Sequence, residues 1–114
     1  MHKLSEDQLQ IYKNLVYLEQ DKKKPEKTKV TCVTSVFVIP KPIQKVLNDM
    51  PKEISENLIT LHYHDNDRPV ALDKTKIQMI FELPEFTKVL IHPNGILNQI
   101  KESKKEIEEI IAKK

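Results

Sequence analysis

Two histidines one residue apart, His62 and His64, followed closely by Asp65 and Asp67, are the stretch of this chain best equipped for chemistry. Side chains at i and i+2 of a strand share a face, so His62 and His64 would present two imidazoles together. Asp67, with Asp65 or His92 as further candidates, would then complete a site for zinc or another metal that accepts nitrogen and oxygen ligands. The same residues also describe an exposed strand face running into a polar turn. Calcium is excluded: Asp65-Asn66-Asp67 opens like an EF-hand loop, but Val70 stands where the loop needs glycine and Lys76 where it needs glutamate.

A histidine beside acidic groups also suits general-base catalysis, with His62 or His64 as base and Asp67 as its orienting group. The nucleophile is what the sequence lacks. The single cysteine, Cys32, lies in the most apolar segment, and Ser35, Ser55 and Ser103 have no glycine-flanked elbow around them. Glu108 and Glu109 sit among lysines on an expected helix surface, where alternating charge means solvation. A metal-dependent enzyme built on His62, His64 and Asp67 is therefore the second alternative, and the expectation is a protein that is not an enzyme and has no cofactor.

The 19 basic residues include one arginine, Arg68, leaving 18 lysines. Arginine supplies the planar fork that reads guanine edges, whereas lysine is a hydrated point charge, so sequence-specific DNA recognition is disfavoured. Lys22, Lys23, Lys24, Lys27 and Lys29 nonetheless crowd into eight residues and suit sequence-independent contact with a phosphate backbone. Nucleic-acid binding through this segment is the first alternative. One glycine, Gly95, rules out the glycine-rich loops that cradle nucleotides, so no nucleotide cofactor is expected.

The elements that must position these residues follow from hydrophobic spacing. Ser5 and Gln8 form a capping box and Leu4 and Leu9 a hydrophobic staple, predicting a helix from residue 6 to about 21, ended by Pro25. Val30 to Ile39 is dense in β-branched residues and predicts one central strand covered on both sides. Ile43, Val46, Leu47 and Met50 predict a short helix before Pro51. Leu58 to His64 alternates as a strand, with Val70 to Leu72 as a brief return strand. Thr75 to Leu83 is read as a strand turning at Leu83-Pro84-Glu85-Phe86 into an antiparallel partner, Phe86 to His92. Asp73 as the cap of a helix is the competing reading of that segment. Ile96 to about Lys113 is predicted as one long helix, N-capped by Asn94, whose stripe is interrupted at Ser103 and Lys104.

At 114 residues the chain fits one domain, 1–114. The predicted class is α+β, a small mostly antiparallel sheet of three or four strands flanked by amphipathic helices at the two ends. Ile107, Ile110 and Ile111, on the last turns of the C-terminal helix, are the candidate interface. No apolar run reaches the length of a membrane span, and the lone Cys32 agrees with a reducing, cytoplasmic setting. By elimination, the sequence points to a small binding or regulatory protein that acts through protein contacts as a homodimer.

Overall fold

The computed structural model describes residues 14–92 and 95–113. Eight strands form two antiparallel sheets. The larger, in the order β3-β2-β1-β5-β4, comprises β1 (Leu15–Gln20), β2 (Thr28–Cys32), β3 (Val36–Ile39), β4 (Leu58–His62) and β5 (Pro69–Asp73). The smaller contains β6 (Ile77–Glu82), β7 (Thr87–Ile91) and β8 (Ile96–Ile100) in that order. Helices α1 (Ile43–Asp49) and α2 (Lys52–Ser55) follow β3, and α3 (Lys104–Lys113) ends the described chain.

The expected α+β class with three or four strands between terminal helices is therefore wrong: the fold is mostly β. Three misread segments account for the error. Residues 15–20, assigned to the N-terminal helix, are β1, and the capping box around Ser5 lies outside the described residues. Leu15, Val16 and Leu18 look helical because β1 is buried on both faces. Strands of that kind read as continuous apolar runs, and a bulge between Leu15 and Tyr17 breaks the alternation further. Pairing with β2 on one side and β5 on the other outweighs the local preference.

The long C-terminal helix is likewise a strand followed by a shorter helix. Ile96, Leu97 and Ile100 belong to β8, and Ser103 starts α3. Ser103 Oγ accepts from the Glu106 amide at 3.2 Å, while Glu106 Oε1 accepts from the Ser103 amide at 3.1 Å. That is a reciprocal capping box, written in Ser103-Lys104-Lys105-Glu106, at the point where the apolar stripe is interrupted.

The expected single strand over 30–39 folds back on itself. Cys32 donates its amide to the Ser35 carbonyl at 2.8 Å, closing a hairpin that lacks the glycine, asparagine or aspartate such turns usually carry. The reversal changes which side chains share a face: Val30 is opposite Phe37, and Val36 and Val38 point away from that side. β3 is an edge strand rather than a central one.

Two apolar cores result. Leu18, Val30, Cys32, Leu58 and Ala71 on one face of the large sheet meet Ile43, Val46 and Met50 of the α1 segment. Ile59, Leu61, Val70 and Leu72 on the other face meet Val89, Ile91, Leu97 and Ile100 of the small sheet, with Ile107 of α3 closing the end. The two sheets are joined where the Tyr63 backbone bridges that of Ile100, flanked by hydrogen bonds from Lys101 N to His62 O at 2.8 Å and from His64 N to Gln99 O at 2.7 Å.

Replacing Ser103 with alanine should cost about 1 kcal/mol and lower the thermal midpoint by several degrees, with Ser103→Asp restoring most of it. A thermal melt followed by circular dichroism measures this directly.

Candidate functional site

The sheet junction positions His62 at the end of β4, beside the turn that leads from β8 into α3. Glu102, in that turn, holds His62 twice: Oε1 accepts the backbone N–H at 2.8 Å, and Oε2 lies 2.7 Å from Nδ1. A contact of that length between Nδ1 and a carboxylate oxygen fixes the orientation of the ring. The imidazole is partly exposed, at 41%, whereas the glutamate that orients it is 14% exposed.

A cleft of about 630 Å³ opens here, lined by His62, Asp67, Lys101, Glu102 and Glu106. Lys101 Nζ donates to Asp67 Oδ1 at 2.8 Å across the cleft. That hydrogen bond and charge pull the Asp67 carboxyl below its ordinary range and push the Lys101 ammonium above its own. Backbone conformation is unusual at the same place. Asp67 (φ 54°) and Gln99 (φ 60°) are the two described non-glycine residues in the left-handed region, which costs on the order of 1 kcal/mol each. Asp67 turns the β4–β5 hairpin, and Gln99 redirects β8 toward β4.

Next to the cleft lies a second polar group that contains the chain's one arginine. Tyr63 Oη donates to Glu19 Oε2 at 2.6 Å, Arg68 Nη1 donates to the Gln20 carbonyl at 2.8 Å, and the guanidinium sits 4.4 Å from the Tyr63 ring centroid. Arg68 Nη1 is also 3.8 Å from Glu19 Oε1. Burial first, then the bond to Glu19 and its charge, raise the Tyr63 phenol far above the usual tyrosine value, with Arg68 opposing. The only described arginine is thus absorbed in tying the β4–β5 hairpin to β1.

Of the residues singled out from sequence, His62 and Asp67 line the cleft, whereas His64 is exposed in the hairpin turn and is absent from the lining. Among the described residues no three His, Cys, Asp or Glu side chains converge as a metal site would require. Cys32 is buried, and desolvation raises its thiol pKa. No serine, threonine or cysteine lines the cleft, so it offers an oriented imidazole beside carboxylates and a lysine, without a hydroxyl or thiol. Ile107 is fully buried in the core between the sheets, and Ile110 and Ile111 pack half-buried against it, so that face of α3 is occupied within the chain. Lys22, Lys23 and Lys24 stand exposed in the β1–β2 connection, with Lys27 half-buried and Lys29 exposed on β2.

Glu102, Lys101, Glu19, Tyr63 and Arg68 escaped the sequence reading. Glu102 reaches His62 over 40 residues and Tyr63 reaches Glu19 over 44, separations at which no local pattern signals contact. Comparison of the chain with family models, curated proteins and solved structures gave no match. Among the described residues no helix is long and apolar enough to cross a membrane.

The Tyr63 phenol gives a stability prediction with a definite sign. The unfolded chain ionises this tyrosine near its ordinary pKa of about 10, whereas the folded chain holds it neutral to a higher value. Its contribution is therefore complete below about pH 10 and declines as pH rises beyond that. Denaturant titrations on the alkaline side should show this decline in the native chain and a shallower one in Tyr63→Phe. At neutral pH that variant should lose about 1–3 kcal/mol, because Glu19 loses its donor.

Proposed function

We propose that the chain is a non-enzymatic binding or regulatory protein that works through protein contacts as a homodimer, joined edge to edge along β3. The observation that supports this reading is the nature of that edge. β3 pairs on one side only, with β2, and its four residues are Val36, Phe37, Val38 and Ile39. It carries no charge and no bulge, and Val36 and Val38 are 58% and 51% exposed. Unprotected apolar edges invite strand pairing, and natural sheets usually blunt them with charges, bulges or a covering element.

The other edges are interrupted, although β6 also exposes Met79 and Phe81. β6 has a bulge between Ile77 and Met79 and ends in Glu82, which accepts the Lys104 amide from α3. β4 and β8 are joined to each other at the Tyr63–Ile100 bridge.

A second copy is the occupant the edge fits best, because antiparallel pairing about a two-fold axis is self-complementary. In the β2–β3 ladder the Cys32–Ser35 bond fixes the alternation: Phe37 and Ile39 bond inward to β2, and the amides and carbonyls of Val36 and Val38 face outward. A two-fold centred on Phe37 places Val36 of one copy opposite Val38 of the other. It closes about four main-chain hydrogen bonds and continues the large sheet across both copies.

Light scattering over a concentration series tests this. The expected mass is twice the 13.4 kDa chain. Val38→Pro, which removes an outward-facing donor while leaving the β2 ladder intact, should give a folded monomer, as should Val36→Lys. A monomeric native chain, or a dimer that survives both substitutions, would overturn the reading.

A further inference from the structure

We propose that the β1–β2 connection is a preformed polyanion-binding tip that contacts the phosphate backbone of duplex nucleic acid without reading its sequence. Residues 22–29 hold five lysines against one glutamate, a net charge of +4, in a chain whose total is +2. The rest of the molecule is therefore net negative, and the positive charge is concentrated at one end of one hairpin. Such polarity orients a protein toward a polyanion even when its overall charge is small.

The tip is ordered by its own backbone. Asp21 donates its amide to Lys27 O at 3.0 Å and Lys27 donates to Lys24 O at 2.9 Å. Asp21 Oδ1 accepts from the amides of Lys23 and Lys24 at 2.9 and 3.0 Å. Those bonds hold the Asp21 carboxyl below its usual range, with the charges of Lys24 and Lys27 adding to the effect, and Glu26 is the acid within the tip itself. The described chain contains five ion pairs, and none of them uses Lys22, Lys23, Lys24, Lys27 or Lys29. Elsewhere Lys41, Lys76 and Lys101 each have a carboxylate partner. The tip lysines are available, and the loop that carries them has little left to order on binding.

The composition of the tip favours nucleic acid over a membrane surface. The exposed tip, Lys22-Lys23-Lys24-Pro25-Glu26, has no large apolar side chain to enter a bilayer, so a membrane would hold it by lipid charge alone. It also lacks an aromatic platform for unstacked bases, which favours duplex over single strand. Lysine in place of arginine makes the contact electrostatic and independent of sequence.

Fluorescence anisotropy with a labelled DNA duplex, repeated across a salt series, tests the proposal on the native chain. If all five lysines engage, log K should fall with log salt at a slope near −4.5, a loss of roughly 500-fold between 50 and 200 mM. The folded triple variant Lys22→Gln, Lys23→Gln, Lys24→Gln should flatten the slope by about 2.7, whereas Lys52→Gln in α2, before the opposite end of β4, should leave it unchanged. Absence of binding at low salt, a slope indifferent to the triple substitution, or retention on anionic vesicles with none on the duplex would each overturn it. Val38→Pro should bind with the same tip chemistry, so failure here is separable from failure of the dimer.

Discussion

Everything else in this molecule rests on the junction at which β8 leaves the small sheet and lies against the end of β4. The apolar face of the three-stranded sheet and the inner face of the large sheet would both be wet without each other as cover. The Tyr63–Ile100 bridge and its two flanking hydrogen bonds bring these halves together, so that Leu61, Val70 and Leu72 are sealed beneath Val89 and Leu97. The left-handed backbone at Gln99 is the cost of this crossing. Glu102 secures the same corner by holding both the amide and the imidazole of His62.

That constraint accounts for the cleft and for its limits. The His62–Glu102 pair has the geometry of an oriented base, yet its position at the sheet junction also makes it a clasp between β4 and the start of α3. The clasp is made by one carboxylate, which holds both the amide and the ring of His62. The arginine that sequence reading set against specific DNA contact is spent in the same way, between Glu19, Tyr63 and the Gln20 carbonyl. What the fold leaves uncommitted is the β3 edge and the lysine tip beside its end, at the same end of the large sheet as the β4–β5 turn.

How much of this was legible depended on whether the signal was local. The α1 helix, bracketed by Pro42 and Pro51, lies where Ile43, Val46, Leu47 and Met50 place it, and β4, β5 and β7 lie where expected; β6 is a strand too, but its bulge turns Ile77 and Ile80 inward and leaves Met79, Phe81 and Leu83 exposed. The turn at Leu83 to Phe86 closes as read, through Leu83 N to Phe86 O at 2.9 Å. Asp73 does act as a cap, but of a single 3-10 turn, Lys74–Lys76, before β6 begins. The misses are long-range effects. Residues 15–20 and 96–100 become strands because of partners distant in sequence, and no composition rule distinguishes a strand buried on both faces from one stripe of a helix. The hairpin at Cys32 to Ser35 carried no turn residue, so the exposed β3 edge was read as the interior of a central strand. Ser103 and Glu106 were a readable exception: the capping box was present, and the interruption in the isoleucine stripe marked where α3 begins.

The central claim is that β3 is an unprotected edge which a second copy completes, and amide hydrogen exchange at single-residue resolution tests it most directly. In dilute protein the amides of Val36 and Val38 should exchange quickly while those of Phe37 and Ile39, bonded to β2, stay protected. Raising the concentration should slow Val36 and Val38 in step with dimer formation. Rapid exchange of Val36 and Val38 at every concentration, with Phe37 still protected, would contradict the account.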